Sequence, residues 1–323
     1  MSVSLLYHKK QPSNDSQITH SFNKDDLKTL NLSLNLDFIP TSTSYIVDPN
    51  QLQIKEYFPN TFASIREACD CFCINSSLKD PENFKKIVNV QCEQGGRSAS
   101  FVFLTADEKL VIKTITKHER KVFIEKMLET YSNRVLSTPE SRLSRIFGAF
   151  KLKGLKLNFI ILENILPNKG FSYIFDLKGS KVDREVKGIA DPKNPPVGVV
   201  LKDVNFINLG YHLRLGDESG NLLVKVLTED FMLLKDLGIM DYSVLLGICV
   251  DCDSPGGNNR YSVIGSEGFI ISIGVIDFFQ EYNFGKVGEK TVKSMFNKKE
   301  DISSTNPAEY FMRLTSFISE IFK

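Results

Sequence analysis

Histidine is scarce in this chain, four residues in 323, and the six cysteines, at 69, 71, 73, 92, 249 and 252, supply no paired C-x-x-C sets. A zinc site built from clustered thiolates and imidazoles is therefore not expected. Free thiols in a reducing compartment are the simpler account of the cysteines. No apolar run reaches the length of a membrane span, and the opening MSVSLLYHKKQPSNDS lacks a signal-peptide layout, which predicts an intracellular protein. An excess of charge is lacking too, with 40 basic against 39 acidic residues. Any pull toward an anionic partner must come from local clustering, and nucleic acid is not an expected partner. What is present is a hydrophobic share of 42% in a chain long enough for two lobes with separate cores.

The most informative stretch is GFIISIGVIDFF, Gly268 to Phe279. A continuous β-branched and aromatic run of this kind reads as a fully buried strand, here ending on Asp277. An ionised Asp at the end of a buried strand needs a cation, backbone donors or a metal ion, unless it caps the following turn. Asp241 lies in a second apolar setting, LGIMDYSVLLGI, and Lys113 ends a third, KLVIK. Two carboxylates and a lysine so embedded form the set a phosphoryl-transfer site needs.

Residues 1–45 are rich in Ser, Asn, Thr and Asp and read as a mobile arm, with one strand candidate from Asn31 to Ile39. From Tyr57 a helix is predicted, with Pro59 and Asn60 at its entry and Phe62, Ile65, Ala68 or Cys69, and Phe72 on one face. Residues 88–114 read as three strands, with Gly95, Gly96 and Ser98 in the first turn and Lys113 on the third strand. Those turn residues let backbone N–H groups approach phosphate, although a plain hairpin turn uses the same types. HERKVFIEKMLETY reads as a helix whose Glu119 either pairs with Lys113 or stays solvated. Two strands flank Gly154, the second running through Phe159 to Leu162 and changing direction at Glu163-Asn164-Ile165. FSYIFDLKGSKVDREV reads as a strand ending in Lys178, Gly179 and Ser180 with Arg184 just beyond, which is either an anion site or a charged turn. LLVKVLTEDFMLLKDLG is predicted to be helical, with Thr228 as a possible cap, Glu229 and Asp230 in the first turn and Gly238 as the stop. The segment after Asp277, with lysines at 286, 290, 293, 298 and 299, is either a surface loop or a mobile anion-facing one. Asn306 opens the last helix in a capping-box pattern.

The ordered series IKTITKHE, IILENIL, FDLKGSKVDRE, LGIMDYSVLLGI and IGVIDFFQEY resembles the phosphatidylinositol phosphate kinases, over about Tyr57 to the end. The resemblance implies an α+β protein of two lobes, an antiparallel amino-terminal sheet with helices and a larger mixed carboxy-terminal lobe, with ATP between them. The expected organisation is an arm at 1–45, an ATP-binding lobe at 46–165 and a catalytic and specificity lobe at 166–323. It implies that Lys113 holds ATP phosphates, helped by the turn of Gly95, Gly96 and Ser98, and that Glu119 orients the lysine. The backbone around Glu163 and Asn164 would meet adenine, and Asp277 would bind Mg²⁺. Asp241 falls on the family's catalytic Asp, with Lys178 near the transferred phosphate and Arg184 beside it.

The family's KDxDF motif appears as Lys202-Asp203-Val204-Asn205-Phe206, with Asn in place of the second acid. In the substrate-choosing segment this chain has Lys286, Glu289 and Lys290. Glu289 resembles the members that phosphorylate the 5-hydroxyl of phosphatidylinositol 4-phosphate, although the second lysine of their pair is absent and STNPAEY resembles the 4-kinases. The partners so implied are a phosphoinositide or a soluble inositol phosphate, and an anionic membrane surface bound peripherally; the divergent arm leaves the oligomeric state open. A protein kinase is disfavoured by the lack of H-R-D, D-F-G and A-P-E triplets. A retired phosphoinositide-binding scaffold would be free to lose Lys113, Asp241 or Asp277, and all three are present.

Overall fold

The computed structural model describes residues 17–21, 53–71, 74–83, 101–152, 156–166, 170–250, 260–265, 268–282 and 306–322. The chain divides into two compact units, Met1–Thr116 with Ile146–Leu162, and Lys117–Arg145 with Glu163–Lys323.

The first unit holds a six-stranded sheet made of β1 (Gln17–Ser21), β2 (Gln53–Tyr57), β3 (Val102–Leu104), β4 (Leu110–Ile115), β5 (Ile146–Leu152) and β6 (Leu157–Glu163). Its order is β1-β2-β5-β6-β4-β3, and β1/β2, β2/β5, β5/β6 and β3/β4 run antiparallel. Two helices accompany it, α1 (Pro59–Ala68) and α2 (Ile74–Lys79). Pro59 opens α1 where its missing N–H is harmless. Phe62, Ile65 and Cys69 are buried while Ala68 is exposed, so the cysteine completes the apolar face. The β3–β4 turn is tied to α2: Asp107 accepts hydrogen bonds from Ser77 Oγ and Thr105 Oγ1, and Asn83 accepts from the Ala106 N–H. The strand candidate at Asn31–Ile39 and the strand and turn containing Gly95, Gly96 and Ser98 lie outside the described residues.

The second unit begins with a helical run, α3 (Lys117–Lys121), a π-helical turn (Val122–Met127) and α4 (Leu128–Ser137). The wider π turn brings Val122, Phe123, Ile124, Met127 and Leu128 all into the core. Next come β7 (Tyr173–Leu177), β8 (Val200–Leu201), α5 (Asp203–Leu209), α6 (Asp217–Asp236), β9 (Ile239–Met240), β10 (Ser243–Cys249), β11 (Ser262–Ile264), β12 (Ile270–Ile276), β13 (Gln280–Glu281) and α7 (Pro307–Ile321). The five-stranded sheet has the order β11-β12-β10-β7-β8, antiparallel except for the parallel β7/β8 pair, and β9 pairs with β13. In β12 every residue from Ile270 to Val275 is buried, as expected of a strand covered on both faces. Asn306 caps α7 by accepting from the N–H groups of Ala308 and Glu309.

Two expectations need correction. Thr228 is no cap: α6 starts eleven residues earlier at Asp217, and Thr228 sits inside it, donating its hydroxyl to the Val224 carbonyl. Asp230 is then a mid-helix residue with a fully buried side chain, accepting from Arg134 Nε, Ser141 Oγ and Arg142 N. The cysteines also differ among themselves. Cys69 and Cys71 are buried in the first unit, whereas Cys249, where β10 ends and the chain leaves the sheet, is disulfide-bonded.

Candidate active site

Strand register assembles the site. Val244 of β10 faces Leu177 of β7, and Ser243 faces Ile276 of β12. Lys178, just past β7, Asp241, two residues before β10, and Asp277, just past β12, therefore emerge at the same end of three neighbouring strands. Adjacent strands lie about 4.8 Å apart, so the two outer positions are separated by roughly 10 Å. Asp241 and Asp277 both have left-handed backbones, φ +62° and φ +60°. Asp adopts that conformation more readily than most residues, and backbone strain of this kind is typical of functional sites.

Asp277 is exposed, which alters the argument for it. The chain leaves the buried strand at Ile276 and turns at once, so the carboxylate escapes the desolvation cost while Phe278 and Phe279 turn back into the core. Asp241 is held from behind. Tyr242 is buried, its carbonyl accepts from Tyr310 Oη of α7, and the two rings meet edge to face at 4.9 Å. The Lys178 ammonium donates to Asp241 Oδ1 at 2.8 Å and to the Asp241 carbonyl at 2.6 Å.

The 178–180 turn does form an anion site, and the anion is the protein's own. Asp203, with a fully buried side chain, accepts from the N–H groups of Lys178, Gly179 and Ser180 through Oδ1 and from Arg184 Nε through Oδ2. Arg184 also bonds the Asp176 carboxylate at 2.5 Å. Burial alone would lower the Arg184 pKa, but Asp176 and Asp203 raise it. This guanidinium, expected beside a substrate phosphate, holds the turn together. On the other side Gly179, φ +66°, packs on the backbone of Arg313 and Leu314 in α7. Sequence reasoning missed Asp203 and α7 as supports of this turn. The lone signal was an acid at the start of the Lys202–Phe206 motif.

The remaining residues fall elsewhere. Lys113 is on β4 opposite Val102, half-buried, in the first unit; Glu119 is half-buried in α3 of the second. Glu163 ends β6, pairs with Arg260 at 2.9 Å and has its pKa raised by burial against the pull of Arg260. The Asn164 side chain both accepts from and donates to the Leu166 backbone, fixing the change of direction. Gly95, Gly96, Ser98, Lys286, Glu289 and Lys290 lie outside the described residues. Among the described residues there is no group of three or more His, Cys, Asp or Glu able to hold a metal, and no helix long and apolar enough to cross a membrane.

A family profile described as phosphatidylinositol-4-phosphate 5-kinase matches residues 84–263 and 250–321. A probable phosphatidylinositol phosphate kinase of Dictyostelium discoideum is 29% identical over 83% of this chain and 47% of its own length. A phosphatidylinositol 4-phosphate 5-kinase of Schizosaccharomyces pombe is 30% identical over 61% of this chain and 26% of its own. The mouse type-1 beta phosphatidylinositol 4-phosphate 5-kinase is 24% identical over 88% and 62%. The chain thus spans from about a quarter to under two thirds of the length of these relatives.

Proposed function

We propose that this chain, which belongs to the phosphatidylinositol phosphate kinase family, transfers the γ-phosphoryl group of ATP to a phosphatidylinositol monophosphate, namely to the 5-hydroxyl of phosphatidylinositol 4-phosphate. The observation that carries the reading is the convergence of Lys178, Asp241 and Asp277 at one sheet end, with the Lys178 ammonium on Asp241. Phosphoryl transfer asks for positioned charge more than for covalent chemistry. Asp241, anchored by Tyr242 and partly open to solvent, orients the attacking hydroxyl and accepts its proton. Lys178 steadies that carboxylate and faces the negative charge that spreads over the transferred oxygens.

In the same reading Lys113 and the turn of Gly95, Gly96 and Ser98 hold the ATP phosphates, Glu119 orients Lys113, and the Glu163-Asn164 backbone meets adenine. Asp277 offers an exposed hard oxygen donor beside the Asp241 position, which suits Mg²⁺, an ion usually held by one or two carboxylates together with substrate phosphates. When bound, Mg²⁺ supplies charge neutralisation at the phosphates. Lys286, Glu289 and Lys290 select the substrate, and their lysines favour peripheral contact with an anionic membrane. The sequence-based bounds, an arm at 1–45, a nucleotide lobe at 46–165 and a catalytic lobe at 166–323, differ from the two compact units: Lys117–Arg145 goes with the second unit, and β1 at Gln17–Ser21 joins the sheet of the first.

The test is transfer of labelled phosphate from ATP to a panel of phosphatidylinositol monophosphates in vesicles and to soluble inositol phosphates, with product isomers resolved. A 5-phosphorylated product from phosphatidylinositol 4-phosphate supports the reading. Transfer only to soluble substrates moves the substrate off the membrane, and no transfer at all favours a binding scaffold.

A further inference from the structure

In the Lys202–Phe206 segment the side chains of Asp203 and Asn205 both bond to backbone groups of the protein, and neither bonding pattern is that of a metal ligand. Asn205 Oδ1 accepts from the N–H groups of Val186 and Lys202 at 2.9 and 3.2 Å, while Nδ2 donates to the Val186 carbonyl at 3.1 Å. A carboxylate could not make that last bond, so Asn suits this position by donating as well as accepting. Its effect, together with a bond from Val204 N to the Arg184 carbonyl, is to fasten residues 184–186 to the start of α5. Asp203 does the same for the preceding turn. Its Oδ1 gathers three successive N–H groups at 2.9, 2.7 and 3.3 Å, and Oδ2 takes Arg184 Nε at 2.7 Å.

Successive N–H groups converging on one point make a concave anion site. Empty, such a site would exchange water or phosphate, and the chain through it would be free to shift. Filled by a carboxylate from the adjoining helix, it has one geometry. Lys178 is the first residue of that turn, so the direction in which its side chain leaves β7 is set there. The ammonium it carries reaches both the carboxylate and the carbonyl of Asp241.

We propose that Asp203 is a positioning residue for transfer: it is the internal anion around which residues 178–180 are wound, and it thereby sets where the Lys178 ammonium meets Asp241. The inference rests on the reading given under Proposed function and adds a residue that acts only through Lys178. Asp203 touches neither substrate nor nucleotide in this scheme, because both its oxygens are engaged inside the protein.

The test is a double-mutant cycle on transfer rate, using whichever phosphorylated inositol the wild type accepts. Asp203→Asn keeps the shape but removes the charge that binds the turn. It is expected to lower kcat by on the order of 100-fold, as misplacing a catalytic group by about 1 Å does. The KM for ATP is expected to stay within about threefold, since an interaction made only in the transition state is lost. In a Lys178→Ala background the same substitution is expected to change kcat by less than about twofold, because its route of action has been removed. The proposal is overturned by an active wild type with Asp203→Asn at full kcat, or by an equal loss in both backgrounds, which marks general damage to the fold. Asp203→Glu serves where Asp203→Asn does not fold; failure of both to fold makes the residue structural and overturns the proposal. A wild type with no transfer to any substrate overturns the proposal together with the functional reading, whereas the other outcomes leave that reading standing.

Discussion

Replacing Gly179 by Ala separates backbone strain from crowding, because the protein contains its own control. Gly179 and Gly210 share the same backbone angle, φ +66°. A Cβ on Gly210 would meet nothing within 4 Å, whereas one on Gly179 would stand 3.1 Å from Leu314 Cα and 3.2 Å from the Arg313 carbonyl oxygen. Both substitutions place an L side chain in the left-handed region, costing about 1–2 kcal/mol, and both stiffen the unfolded chain by a similar amount. These shared contributions cancel in the difference. What remains at Gly179 is overpacking against the backbone of α7, which cannot rotate away as a side chain could. Overpacking of this kind costs about 1–3 kcal/mol. Urea unfolding of the two variants is therefore expected to place Gly179→Ala about 1–3 kcal/mol below Gly210→Ala, or roughly 1.5–4.5 °C lower in Tm for a chain of this length. The turn can also yield by moving away from α7, which drags Lys178 with it and lowers kcat. Equal stability of the two variants, with kcat intact in both, would refute the claim that α7 buttresses this turn.

Two further outcomes follow from the same geometry. Asp230→Ala strips a buried carboxylate from Arg134, Ser141 and the Arg142 N–H, and is expected to cost about 3–5 kcal/mol by chemical denaturation; a loss below about 1 kcal/mol would contradict the burial described. Asp107 gives a pH signature. Burial alone would raise its pKa, but hydrogen bonds from Ser77, Thr105 and the Lys109 N–H hold it below the usual carboxylate value. Its contribution is then present above the unfolded carboxylate pKa, near 4, and is lost as pH falls through the folded value. The stability gap between wild type and Asp107→Asn is expected to be flat at neutral pH and to close in acid; a gap that widens in acid would reverse the sign.

Much of the site could be read from the chain because its carriers lie at the ends of strongly patterned strands. The run from Ile270 to Ile276 is apolar enough to be recognised alone, and Asp277 follows at once. The exposure of Asp277 was not legible, since it depends on a single left-handed residue turning the chain out of the sheet. Helix α6 was legible from Leu222 onward. Its first turn, Asp217-Glu218-Ser219-Gly220, has no apolar stripe, and Thr228 with the acids after it imitated a cap inside the helix. Asp203 escaped notice for another reason: its partners are 19 to 25 residues away, and side-chain to backbone bonds across such distances leave no periodic trace.

In the proposed function Asp241 acts in the chemistry at a partly open sheet end and does not hold the fold together. Its side chain is 43% exposed, and an ion pair so placed contributes no more than about 1 kcal/mol to stability. Single-turnover transfer from ATP by wild type and Asp241→Asn, with Tm measured on the same samples, tests it directly. The rate is expected to fall by at least about 100-fold, the scale of general-base catalysis, with Tm within about 4 °C of wild type. Turnover retained within about threefold, or a variant that fails to fold, would contradict it.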